Sequence, residues 1–113
     1  MNFELKAVTW GLLIIAIMLE VSGTVAMKLS DGFTKVIPII AMLILYAMGL
    51  GLLALTLKVI DVSVAYAVWS GLGTVLITFI GILWFKEPAT TIKMISIALI
   101  VVGVVGLNLE SGG

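Results

Sequence analysis

Cysteine, histidine and arginine are all missing from this chain of 113 residues, and only 11% of its residues are charged. Without cysteine there is no disulfide framework and no thiol chemistry. Without histidine, His-ligated zinc and imidazole acid–base chemistry are excluded. A soluble domain carries about a quarter of its residues charged, so the shortage of charge argues against one. The 6 basic and 6 acidic residues balance to zero, and nothing points to nucleic acid as a partner. The chain contains no Walker A sequence, so ATP is not expected to drive it. Nucleophile elbow and paired-carboxylate arrangements are missing too. No enzyme is expected, and neither is a metal or a cofactor.

What the chain has is apolar length. Hydrophobic residues make up 63% of it and the mean hydropathy is +1.38. Charges divide it into four apolar spans, at about 9–27, 36–57, 62–85 and 92–109. The connections are short: "KLSDGFTK" (Lys28 to Lys35), "KVIDVS" (Lys58 to Ser63) and "KEPATTIK" (Lys86 to Lys93), the last with Pro88 as a helix breaker. Spans of this length must satisfy their own backbone in lipid, and helices do so. A β-barrel needs short alternating segments, and these do not alternate. The expectation is an all-α protein, a single four-helix transmembrane domain over residues 1–113. The first span is too long for a cleavable signal peptide and no A-x-A-like site follows it. The closing "ESGG" reads as a frayed polar tail without functional weight. Lysines lean toward one side: Lys28, Lys35, Lys86 and Lys93 flank the first and third connections, against Lys6 and Lys58 on the other side. The lean is toward cytoplasmic first and third loops, and it is weak enough to leave insertion in both directions open.

One carboxylate interrupts the first span. Glu20 stands in "MLEVSGTVAMK" with no other charge between Thr9 and Met27. A charge at mid-membrane costs about 2.5–3.5 kcal/mol on insertion scales. At helical spacing its neighbours are Ala16, Gly23, Thr24 and Met27, a stripe mostly small or weakly polar, suited to a neighbouring helix or a cavity. Two readings stand. Glu20 is a structural acceptor bonded by Tyr46, Tyr66, Thr24, Ser70 or a tryptophan. Or it binds a proton and, when ionised, a cation. Ionisable groups inside membranes are functional by default.

The third span adds "SVAYAVWSGLG" (Ser63 to Gly73). Tyr66, Trp69, Ser70 and Gly73 share one helical face, with two aromatic rings and a hydroxyl. Aromatic faces attract desolvated cations, and a carboxylate with aromatic rings is what a lipophilic-cation site requires. Ordinary packing is the alternative. Trp10 and Trp84 read as interfacial belt residues. Gly71 and Gly73 either bend the third helix or let it pack closely. Tyr46, flanked by Met42 and Gly49, lines the same cavity or simply packs. On the fourth span, Ser96 and Gly103 share a face with Gly106 nearby, which permits close helix contact. Four short helices enclose little space, so a transporter built this way needs at least a dimer.

These residues together resemble the small multidrug resistance family of bacterial inner-membrane transporters. The resemblance covers roughly Trp10 to Leu109 and rests on "LEVSGTVAMKLSDGFTK", Pro38, "AYAVWSGLG" and "GVVGLNL". It implies an antiparallel, dual-topology homodimer with one site between two copies of the first helix. The lysine lean leaves a heterodimer open. By the resemblance, Glu20 is the carboxylate that takes protons or cationic substrate. Trp69, Tyr66 and Tyr46 are pocket aromatics, Thr24, Gly23 and Ala16 are pocket positions beside the carboxylate, and Ser70 is a nearby hydroxyl. Gly71 and Gly73 are the kink of the third helix, Ser96 and Gly103 the dimer contact. The implied activity is proton-driven export of hydrophobic, quaternary-ammonium cations. Guanidinium or polyamine export is the nearest alternative, and a non-transporting assembly subunit a further one. "EVSGT" and "WSG" look like the multidrug branch, since the guanidinium branch carries a bulky tryptophan where this chain has Gly23. That glycine is expected to leave room for a large cation.

Overall fold

The first apolar run folds as a helix longer than the run itself. In the computed structural model, which describes residues 3–111, α1 spans Phe3–Leu29. Its 27 residues make roughly 40 Å of helix at about 1.5 Å each, more than the ~30 Å hydrocarbon core. α2 follows at Val36–Thr56, α3 at Val62–Leu83 and α4 at Thr91–Ser111. All four are long and apolar enough to cross a membrane. The fold is all-α, and the described residues contain no strand.

Differences from the sequence expectations lie at the ends. α1 begins at Phe3, not Thr9, because Glu4 and Lys6 extend the helix past the hydrocarbon limit. α4 runs through Glu110 and Ser111, so half of the "ESGG" tail is helical; Gly112 and Gly113 lie outside the described residues. α3 stops at Leu83, leaving Trp84 and Phe85 in the connection as a stacked pair 5.4 Å apart. The stop is a hydrogen-bonded cap. Lys86 takes the left-handed conformation at φ 56, and the Glu87 N–H closes back on the Gly81 carbonyl at 3.0 Å. That closure spans seven residues, one more than a Schellman turn, and its left-handed position holds lysine where glycine is usual.

The first connection is tighter still. Asp31, Gly32 and Phe33 all have positive φ, at 51, 67 and 65. Ser30, fully buried, organises them: its Oγ donates to the Met27 carbonyl at 2.7 Å and accepts the Phe33 N–H at 3.1 Å. Its carbonyl accepts the N–H groups of Thr34 and Lys35. α4 starts on Thr90, whose hydroxyl accepts the Lys93 N–H at 3.1 Å, a side-chain N-cap. Pro38 falls within the first turn of α2, where its missing N–H breaks no helical bond.

α1 is the centre of the packing. Leu13, Ala16 and Ile17 are fully buried and meet Val64, Ala65 and Val68 of α3, with Leu53 of α2. Trp10 packs against this cluster as well as standing near the helix end. α2 lies close along α1, where a Cβ on Gly49 would stand 3.2 Å from the Ala16 carbonyl oxygen. Small residues let membrane helices approach this closely, since lipid supplies no hydrophobic drive between them. α4 packs chiefly on α3, through Ile100 and Val104 at Gly71.

Candidate functional site

Glu20 sits on α1 roughly 14 Å from the Leu29 end, at about 1.5 Å per residue. That depth is near the middle of a bilayer core. Among the described residues no lysine pairs with it. Its nearest polar partner is one turn along the same helix: the Thr24 hydroxyl donates to Glu20 Oε1 at 3.1 Å. Thr24 Oγ1 is also 2.7 Å from the Tyr46 hydroxyl on α2. A threonine hydroxyl has one proton. When that proton goes to Glu20, Tyr46 must donate to Thr24, and the chain runs Tyr46 to Thr24 to the carboxylate. Thr24 Oγ1 also lies 3.1 Å from the Glu20 carbonyl, which competes for the same proton.

Two half-open cavities meet at the carboxylate. One, of about 210 Å³, is lined by Glu20, Tyr46, Leu50 and Trp69. The other, of about 180 Å³, is lined by Glu20, Thr24, Trp69, Ser70, Gly73 and Thr74, among others. Trp69 stands between them. Its indole N–H is buried with no hydrogen-bond partner among the described residues. Leaving such a donor unpaired costs about 1–3 kcal/mol. Gly73 makes space for the carboxylate itself: a Cβ there would lie 3.2 Å from Glu20 Oε2.

The structure therefore brings Glu20, Thr24, Tyr46, Trp69, Ser70 and Gly73 together. Other expected site residues it places elsewhere. Ala16 is fully buried between helices, under Gly49, and lines neither cavity. Tyr66 is 58% exposed and packs beside Trp69, with ring centroids 5.6 Å apart. One helical turn carries it past the carboxylate, and it lines neither cavity. Gly23 faces the Tyr46 ring of α2 within the chain, with Cδ1 2.5 Å from where a Cβ would be. α3 is one unbroken helix from Val62 to Leu83, through Gly71 and Gly73. Gly71 receives α4, where a Cβ would come within 2.7 Å of Val104. Ser96 is exposed, and Gly103 has nothing within 4 Å of a built Cβ, so both face away from the chain.

A family model described as the Small Multidrug Resistance protein matches residues 8–100. The chain belongs to the small multidrug resistance family. A membrane protein of Bacillus subtilis, YvaE, is 59% identical over 88% of this chain and 84% of its own length. The quaternary ammonium compound-resistance protein QacE of Escherichia coli is 48% identical, covering 90% of this chain and 93% of its own. The multidrug resistance protein EbrA of Bacillus atrophaeus is 46% identical over 85% and 91%. This member of the small multidrug resistance family is thus a transporter and not an enzyme, a multi-pass protein of the bacterial inner membrane.

Several residues at the site escaped the sequence reading. Leu50 walls the aromatic cavity, and Thr74 and Ile77 wall the polar one. Thr74 follows Ser70 at helical spacing, and that signal was available. Leu50 carried none, being one of many leucines facing an unknown direction.

Proposed function

We propose that this transporter is a proton-coupled antiporter that exports lipophilic, quaternary-ammonium-type cations, with Glu20 taking either a proton or the cation. The observation that carries the reading is the carboxylate itself: mid-membrane, without a counter-charge, at the junction of an aromatic cavity and a polar one. An ionised Glu20 attracts a cation, and the Tyr46 and Trp69 faces stabilise a desolvated one. Competition between proton and cation for one carboxylate couples the two fluxes without any further device. The resistance named for QacE and EbrA supports cationic drugs as cargo. The walls formed by Leu50 and Trp69 favour a lipophilic cation over guanidinium.

The active unit in this reading is an antiparallel homodimer with two Glu20 carboxylates facing one site. Each cavity beside Glu20 is smaller than the ~300 Å³ at which drug-sized pockets begin. The remaining room must come from the open sides of these cavities, where a second copy would close them. The exposed Ser96 and Gly103 face of α4 is the contact this dimer would use.

The test is proton release from purified protein on adding tetraphenylphosphonium. Wild type should release protons and Glu20→Gln should neither release them nor bind the cation. Release in the Glu20→Gln variant would end the reading. Release by guanidinium and none by tetraphenylphosphonium would move the substrate to the other branch of the family.

A further inference from the structure

The polar cavity at Glu20 does not end at the carboxylate. It shares Thr24 and Ile77 with a third cavity of about 290 Å³, which also involves Thr78 and ends among Lys28, Glu87 and Lys93. The two form a groove between α1 and α3, from mid-membrane to the end of the bundle where the first and third connections lie. One wall is a stripe of hydroxyls on α3: Ser70, Thr74 and Thr78, one turn apart, covering roughly 12 Å of helix. Each donates its proton to the backbone carbonyl one turn back, Ser70 to Tyr66 at 2.8 Å, Thr74 to Ser70 at 2.7 Å and Thr78 to Thr74 at 2.7 Å. With their donors used, the three oxygens present only lone pairs to the groove. Such a ladder attracts water.

At the mouth, Glu87 is held in place. Its N–H is bonded to the Gly81 carbonyl, and its carboxylate folds against the bare Cα of Gly81. Lys28 of α1 and Lys93 of α4 line the same mouth, while α2 and α3 contain no charged residue. Lys28 stands over the Phe85 ring at 5.8 Å. No ion pair within 4 Å joins either lysine to Glu87 among the described residues, so its carboxylate stays open to water. The opposite side of Glu20 has a different lining. The Tyr46, Leu50 and Trp69 cavity carries no charge but Glu20.

We propose that the proton and the organic cation reach Glu20 from opposite sides. The proton moves along the hydroxyl-lined groove, with Glu87 as the carboxylate that exchanges it with water at the mouth, and the lipophilic cation enters against Tyr46, Leu50 and Trp69. The charges at the mouth favour this division. Two lysines repel a permanent organic cation, whereas a proton passes over water to Glu87 without displacing them. Between its two ends, where Trp69 stands beside Glu20 and Phe85 lies at the mouth, the groove wall on α3 offers hydroxyl acceptors and no further aromatic ring.

This inference rests on Glu20 as the shared proton and cation site, and the test separates the two. Tetraphenylphosphonium affinity and the rate of proton release on its addition are measured on full-length protein, by calorimetry and by stopped flow with a pH-sensitive dye. Glu87→Gln and Thr78→Val should each slow proton release by about tenfold or more and leave the affinity within about twofold, and Glu87→Asp should keep most of the rate. Unchanged release rates in both variants would overturn the separate route. So would a loss of affinity in step with the loss of rate, since that would mean damage to one common site. Proton release persisting in Glu20→Gln would instead refute the function on which the route depends.

Discussion

α1 and α4 are both long apolar helices, and the more hydrophobic of the two is the less buried within the protein. α4 has a mean hydropathy of 2.3 with 6% of its span buried; α1 has 2.0 with 39% buried. In water that order would be reversed. In lipid, apolar side chains gain little by leaving the acyl chains for another helix, and close packing of small residues decides who meets whom. α1 offers Ala16 and Gly23 to its neighbours and receives Gly49 and Gly73 in return. α4 offers Val104 and Ile100 to Gly71 and leaves Gly103 and Gly106 with nothing near them. The helix that carries the carboxylate is clamped on several sides, and the helix that carries the unused glycines is not.

The comparison breaks most sharply at Gly23. An alanine there puts a methyl into the Tyr46 ring, so the ring must leave and take its hydrogen bond to Thr24 with it. Gly23→Ala should cost about 1–3 kcal/mol, as overpacking does, and also weaken tetraphenylphosphonium binding. Thermal unfolding in detergent, with a binding titration beside it, reads both. Unchanged stability with stronger binding would mean that the space beside Gly23 belongs to the substrate after all.

Gly49→Val tests the same clamp away from the cavities. Its Cβ would stand 3.2 Å from the Ala16 carbonyl oxygen and 3.4 Å from Leu19 Cβ, and its methyls have no flexible neighbour to push aside. A loss of about 1–2 kcal/mol is expected. On α4, Gly103→Leu meets nothing within 4 Å, so stability within the chain should change by less than about 0.5 kcal/mol. Its effect should appear only between chains, as a lower dimer fraction by cross-linking. Equal destabilisation by Gly49→Val and Gly103→Leu would erase the difference between the two helices.

How much of this was legible in the residues follows the same division. Four helices were readable because apolar length and punctuating charge act along one chain and need no partner. Glu20, Thr24, Tyr46 and Trp69 were readable because polar and aromatic groups in a span stand out against leucine. The surroundings of Ala16, Gly23 and Tyr66 were not readable for one reason: helical spacing tells which residues share a face, and not what another helix puts opposite that face. The Tyr46 ring over Gly23 and the α2 backbone under Ala16 are facts about two helices at once. Gly71 was ambiguous between bend and contact until Val104 appeared beside it.

A gain rather than a loss is expected in the connection that delivers the chain from α3 to α4. Lys86 there holds a left-handed φ of 56 that glycine adopts without strain. The bond that depends on it, from the Glu87 N–H to the Gly81 carbonyl at 3.0 Å, closes the end of α3, beyond the Phe85 N–H that reaches the same carbonyl at 3.2 Å. Lys86→Gly relieves the Cβ strain but frees the unfolded chain, and the balance should be a gain of about 0.5–1 kcal/mol. Lys86→Val should lose more than that, because a β-branched residue resists positive φ. The pair is read by thermal melts in one detergent. A melting temperature that falls for Lys86→Gly would mean that the lysine side chain, and not the turn geometry, holds α3 and α4 together at this end.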